Sequence, residues 1–297
     1  MSKIITISND FLEVDISTFG AEVQSVKFLG EEKFWQNTDD RFWKGHSPIL
    51  FPICGDIKDG YYIYENEKYS IRSHGVAKRM EFEVLSTEKT SATFVIKSNE
   101  ETKKVYPFDF TFKVMYKLNG DSLATYYFVE NGSDKTMYFS VGGHEAFAIN
   151  GDDFENYSIK FDGIEEFTLT CLKDNLLSTN TMQVKIPNGI FNLTKNMFDE
   201  NFVMANGENA KDSIVIEDVK TDRVTLLYKG EEVLSMYIKD FASLVIWTTI
   251  GANYIAIEPW AGLPDEYEST HLLENKKGMH KIEKNSAKTF YHSITFF

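Results

Sequence analysis

The sequence predicts an all-β fold: one domain over residues 1–297, built as a large antiparallel β sandwich. Three observations carry this expectation. The 297 residues include 24 Phe, 15 Tyr and 4 Trp beside many Val, Ile and Thr, the types that fit a pleated, half-buried surface. Apolar residues recur at every second position through most of the chain. Turn-formers punctuate these runs at short intervals, and no Pro/Gly/Ser-rich linker or fixed-period repeat divides the chain. A chain of this length is within the range of a single sandwich.

Taken in order, the first strand signals are 12–16 and 93–96. The strongest is Phe108, Phe110, Phe112, Val114, Tyr116 and Leu118, with Asp109, Thr111, Lys113 and Lys117 between them. That pattern predicts a half-buried strand. Asn119-Gly120 is a hairpin signal, and 123–129 reads as the returning strand. Met137, Phe139 and Val141 carry the alternation directly into Gly142-Gly143-His144. Further runs at 158–161, 167–172, 213–217, 224–228, 233–238, 244–248, 254–257 and 290–296 are separated by turn-formers such as Lys229-Gly230 and Ile250-Gly251. Helical periodicity is scarce. Residues 266–274 are the best short candidate, and a turn of helix is expected around 196–200. The mixed charges of 97–104 read as a solvated loop.

The net charge of −14 argues against a nucleic-acid partner, whose affinity comes largely from neutralised phosphates. Arginine occurs only at Arg41, Arg72, Arg79 and Arg223, too few for an easy multi-arginine phosphate clamp. Cys54 and Cys171 do not suggest a disulfide framework, and Cys54 reads as a small core residue. Met1-Ser2-Lys3-Ile4-Ile5-Thr6 lacks the apolar stretch of a signal peptide. No segment is long and apolar enough to span a bilayer, so a cytoplasmic location without a membrane partner is expected. Nucleotide-binding glycine patterns, a Gly-x-Ser-x-Gly elbow and the common metal spacings are missing, so no cofactor and no metal are expected.

Three short stretches carry chemistry: Ser73-His74-Gly75-Val76, Gly142-Gly143-His144-Glu145-Ala146-Phe147 and Ile257-Glu258-Pro259-Trp260. Two imidazoles and a carboxylate are the minimum set for proton transfer near neutral pH. Each has a structural alternative. His74 beside glycine reads first as a turn residue, and the alternative for His144 after two glycines is the cap of a β-bulge. Glu258 ends an apolar run, where a carboxylate is costly unless paired, protonated or functional. Trp260 offers a flat surface to a sugar or simply packs in the core. His144 and Glu145 are neighbours on extended chain and point to opposite faces. His271, His280 and His292 are expected at the surface.

In this order, the pieces resemble the aldose 1-epimerase (galactose mutarotase-like) family, and within it the bacterial LacX-type branch. The resemblance runs through Gly20-Ala21-Glu22, Glu32-Lys33-Phe34-Trp35 and Trp43-Lys44-Gly45-His46-Ser47-Pro48-Ile49-Leu50-Phe51-Pro52. It continues in Ser73-His74-Gly75-Val76-Ala77, Tyr106-Pro107-Phe108-Asp109-Phe110, Val141-Gly142-Gly143-His144 and Ile257-Glu258-Pro259-Trp260-Ala261-Gly262, ending at Lys277-Gly278-Met279. It implies a two-sheet β supersandwich with an open sugar cleft, and interconversion of aldose anomers without metal or cofactor. By position, Glu258 is implied as the base on the anomeric hydroxyl, His144 as the acid on the ring oxygen and His74 as a second imidazole on the sugar. Asp56, Arg72, Trp260 and His46 are the implied sugar contacts. The expected partner is a small-molecule sugar, with a homodimer left open.

Three departures from the family pattern bear on the site. Asp56 stands where relatives commonly have arginine, Glu145 where proline is common, and Ala261 where an aromatic is frequent, which would widen the cleft. Two rival functions follow. One is a sugar-binding or sensing protein without turnover, which Asp56 favours. The other is an epimerase of hexose 6-phosphates, which the shortage of arginine disfavours.

Overall fold

Alternation of the kind just described resolves into two large antiparallel sheets, whose facing sides share one core. The computed structural model describes residues 2–199 and 213–297. Among them, one sheet has nine strands in the order Ile190–Asn192, Tyr157–Phe161, Arg223–Tyr228, Glu231–Tyr237, Ala287–Phe296, Ser122–Asn131, Phe110–Asn119, Ser91–Lys97 and Glu83–Glu88. The second runs Val141–Gly142, Tyr254–Ala261, Ser243–Trp247, Ser213–Ile216, Glu166–Lys173, Leu176–Lys185, with Ala146–Ala148 also paired to Tyr254–Ala261. A four-stranded sheet from Ile4–Ser8 to Glu31–Glu32 and two smaller pairs complete the β structure among these residues. No helix of the described residues is long and apolar enough to cross a membrane.

The strand Phe110–Asn119 buries Phe110, Phe112, Val114, Tyr116 and Leu118 and leaves the intervening residues partly exposed. Its hairpin turns through Gly120-Asp121, because Asn119 still pairs with Ser122, and Gly120 takes the positive φ of 59° that the turn needs. Phe112, Tyr127, Phe290 and Ile294 of the nine-stranded sheet pack in one cluster with Ile214, Ile216, Leu244, Ile246, Ile255 and Ile257 of the other. Fully burying each such side chain contributes about 1.5–3 kcal/mol. Cys54 is fully buried, and burial pushes its thiol up to about 12.

The opposite face of the second sheet matters for function. Period-two geometry sends Ile255, Ile257 and Ala261 into the main core, so Ala256, Glu258 and Trp260 emerge on the other side. Val215 and Val245 join Trp260 there in a separate small cluster. Every residue of Tyr254–Ala261 is buried, because loops cover that outer face as well. Ala261 therefore does not widen a cleft; its methyl lies in the core.

Other expectations also change. Residues 266–274 are not a helix; only Leu273–Asn275 forms a short 3-10 turn. Leu177 N–H donates to Asp265 O and Tyr267 N–H to Leu177 O, both at 2.8 Å, so the segment starts as an extended bridge between Leu177 and Glu266. Within 97–104, Glu100–Lys103 is a helical turn. Asn99 accepts from the N–H groups of Glu101 and Thr102 at 3.0 and 2.9 Å, and Thr102 Oγ1 accepts from Asn99 N–H at 2.8 Å, a capping box. The turn expected near 196–200 occurs at Lys195–Phe198; residue 200 lies outside the described residues. His292 is not at the surface but wholly buried.

Candidate active site

Strand register brings His144 and Glu258 together. Val141 pairs with Ala261 and Gly142 with Trp260; further along, Ala146 pairs with Ala256. The register between is unbroken, so His144 falls directly opposite Glu258. Gly143 N–H donates to Pro259 O at 3.2 Å, and Ile257 N–H to Glu145 O at 3.1 Å. These bonds bracket a pair that has no backbone bond of its own, the kind of antiparallel position where side chains come closest. His144 Nδ1 lies 3.4 Å from Glu258 Oε2. Pro259 has no N–H to return to Gly143 O; the indole Nε1 of Trp260 donates there instead, at 3.2 Å.

His74 reaches the same place from a tight loop. It adopts a positive φ of 63° and is followed by Gly75 at 70°, a sparsely populated conformation for a residue with a side chain. Glycine is required at 75, since a Cβ there would lie 2.4 Å from Phe51 O. Arg79 Nη1 donates to Ser73 O at 3.2 Å and Gly75 O at 2.7 Å, holding the backbone on both sides of the imidazole. Gly55 N–H donates to His74 Nδ1 at 3.2 Å. A neutral ring accepting at Nδ1 carries its proton on Nε2.

The three side chains meet in a cleft of about 260 Å³ that Asp56, Ser73, Lys78, Trp43, Trp247 and Trp260 also line. Trp43 stacks on His144, with ring centres 4.7 Å apart and planes at 17°. Trp247 and His74 meet the same ring edge-on at 5.4 and 5.6 Å. The imidazole is thereby fixed in orientation and stripped of water. Burial pulls His144 down to about 3, and the charge of Lys78 acts in the same direction. With only 10% of the side chain exposed, the loss of hydration dominates. His74 lies well below the ordinary histidine range, first through burial and then through His144, Lys78 and Arg79. Burial, then Arg79, also lowers Lys78.

Of the residues singled out in the sequence, His144, Glu258, His74, Asp56 and Trp260 line this cleft. Arg72 does not; it lines a neighbouring cavity of about 890 Å³ that shares Asp56 and Ser73 with the cleft. His46 is not in the lining either. Its backbone N–H, with that of Ser47, donates to Glu22 Oε1 at 2.9 and 3.0 Å, which pins the loop following Trp43. Lys78, Trp43 and Trp247 were missed. Lys78 follows His74 by four residues and Trp43 precedes His46 by three, so both sat beside motifs already identified. Trp247 had no signal beyond its strand. Among the described residues no group of three or more His, Cys, Asp or Glu is placed to hold a metal ion.

These histidines make stability depend on acidity. His280 is also lowered, to about 4, by burial and then Lys288. In each case the unfolded chain, with imidazoles near 6.5, binds more protons than the folded one between the folded value and 6.5. Stability is therefore complete above that window and falls as pH drops through it, by at most about 1.4 kcal/mol per pH unit per histidine. Calorimetry should show Tm falling as pH is lowered through that window, with a shallower slope in His144→Asn. Equal slopes would mean that His144 titrates as an ordinary histidine.

The geometry can be set beside known proteins. The family model described as Aldose 1-epimerase matches residues 3–283. Protein LacX (plasmid) of Lactococcus lactis subsp. lactis is 32% identical over 292 residues, covering 94% of each chain. A solved galactose mutarotase related enzyme from Lactobacillus acidophilus is 32% identical with a TM-score of 0.89, covering 99% of this chain and 97% of its own. A galactose mutarotase-like protein from Lactobacillus casei is 27% identical with a TM-score of 0.87, covering 99% and 100%.

Proposed function

The chain belongs to the aldose 1-epimerase family, and from that premise we propose that it interconverts the α and β anomers of a free aldohexose such as galactose or glucose. The observation that carries this reading is the direct contact of His144 with Glu258 on one side of the cleft. The anomeric oxygen and the ring oxygen are both bound to C1. Groups that serve them must therefore be neighbours, and this pair is.

Glu258 takes the proton of the anomeric hydroxyl, the C1–ring oxygen bond breaks, C1 becomes an aldehyde carbon, and the ring oxygen receives a proton from His144. Burial keeps His144 neutral. The proton it delivers is replaced across its contact with Glu258, which hands on the one taken from the sugar. The pair then holds as many protons after opening as before. Rotation about C1–C2 and the reverse sequence close the other anomer. His74 presents its Nε2–H as a donor, and Trp260 and Asp56 supply an apolar face and a hydrogen-bond acceptor. Each placed acid or base contributes about 10²–10⁴-fold, sufficient for a reaction that already proceeds in water.

Asp56 in the lining favours one rival, a sugar-binding protein without turnover. Polarimetry on freshly dissolved α-galactose, α-glucose and their 6-phosphates separates the readings. Accelerated equilibration of a free sugar is expected. Sugar binding by calorimetry with no acceleration would leave the binding protein, and preference for a phosphorylated sugar would move the substrate class.

A further inference from the structure

Glu145 and His292 form a contact that the reaction just described does not use. Glu145 follows His144, and extended backbone turns its carboxylate to the core side of the sheet. There its Oε1 meets His292 Nε2 at 2.9 Å, with side chains 6% and 0% exposed. His292 belongs to the strand Ala287–Phe296 of the facing sheet, where the rings of Tyr127 and Phe241 flank it, each 5.7 Å away. This polar contact therefore crosses the interior from one sheet to the other.

We propose that Glu145 and His292 are a positioning pair that fixes His144 against Glu258, an inference resting on the reading of the cleft as an anomer-interconverting site. Stability does not account for the pair. Glu145 Oε2 and both ring nitrogens of His292 have no hydrogen bond of good geometry among the described residues, the Oε1–Nε2 approach being a charge contact only, and such atoms are costly to bury. Apolar residues of similar volume commonly do as well or better. Geometry does account for it. Segment 143–145 is bonded to the strand bearing Glu258 on either side of that residue, but a ladder alone leaves it free to tilt with the sheet. The Glu145 side chain adds an anchor on the far side, directly behind the catalytic imidazole. Gly143 is shaped to it: a Cβ there would lie 2.2 and 2.4 Å from the two carboxylate oxygens. Small displacements of a reacting group can cost up to about 10²-fold in rate.

The test compares Glu145→Gln, Glu145→Met and the double variant Glu145→Met/His292→Leu with the wild type. NMR exchange between sugar anomers yields kcat and KM, and the His144 ring resonances, identified by their loss in His144→Asn, report its position. The double variant is expected to unfold at or above the wild-type temperature. Its kcat should nevertheless fall about tenfold or more, with KM within about twofold and the His144 resonances displaced. Glu145→Gln, which keeps an oxygen for His292, should stay within about threefold of wild type. Should the double variant not fold, Glu145→Met against Glu145→Gln decides: a loss in the methionine variant alone supports the pair, and equal kcat overturns it. Wild-type kcat and unmoved His144 resonances in the double variant would equally overturn it. If the wild-type protein accelerates no sugar, the functional reading fails, and the His144 resonances alone then decide whether the pair positions that ring.

Discussion

Glu258→Gln should lower the rate of anomer interconversion by at least about two orders of magnitude, or about 2.7 kcal/mol of barrier. Glutamine has nearly the same shape, so the outer-face packing beside Trp260 and Val245 is preserved. What it lacks is the ability to take a proton. Glu258 is 1% exposed, and a neutral amide is easier to bury than a carboxylate, so the variant should be at least as stable as the parent. Sugar affinity measured by calorimetry should change far less than turnover, which is the pattern of a group acting mainly in the transition state. Near-full activity in this variant would remove Glu258 from the base role and the whole proton path with it.

His144→Asn should cost a comparable factor, for a different combination of reasons. Asparagine cannot pass a proton between two ring nitrogens. It also removes the surface on which Trp43 stacks and the edge contacts with Trp247 and His74. Each aromatic contact is worth about 0.5–1.5 kcal/mol beyond burial, so some loosening around Trp43 is expected besides the chemical loss. NMR exchange kinetics should show kcat reduced by at least about 10², with KM raised only modestly. Turnover within tenfold of wild type would mean that another group, such as His74 or Lys78, delivers the proton.

Much of the framework was legible because it rests on a local rule. In the strand Phe110–Asn119 the apolar residues fall at alternate positions, and the face they define is the face that is buried. The hairpin followed from Asn119-Gly120, one residue early. The same rule placed Glu145 on the side opposite His144. Some local signals were present and overlooked, such as the capping residues Asn99 and Thr102. Others were misleading. Residues 266–274 have acceptable helical spacing, but Glu266 bridges to Leu177 in extended conformation. His292 sits at an inward position of an alternating strand, and an inward histidine looks improbable until a carboxylate is found opposite.

The site divides along the same line. Sequence by itself determined an all-β chain and the residue types available for proton transfer. It also determined the local turn from which His74 projects, since glycine conformation acts within a few residues. Only tertiary structure decided that His144 stands opposite Glu258, that Lys78 rather than Arg72 enters the cleft, and that His292 is buried against Glu145. Those outcomes depend on which strand pairs with which and in what register. Register is set by the burial of two whole sheet faces at once, not by any short run of residues.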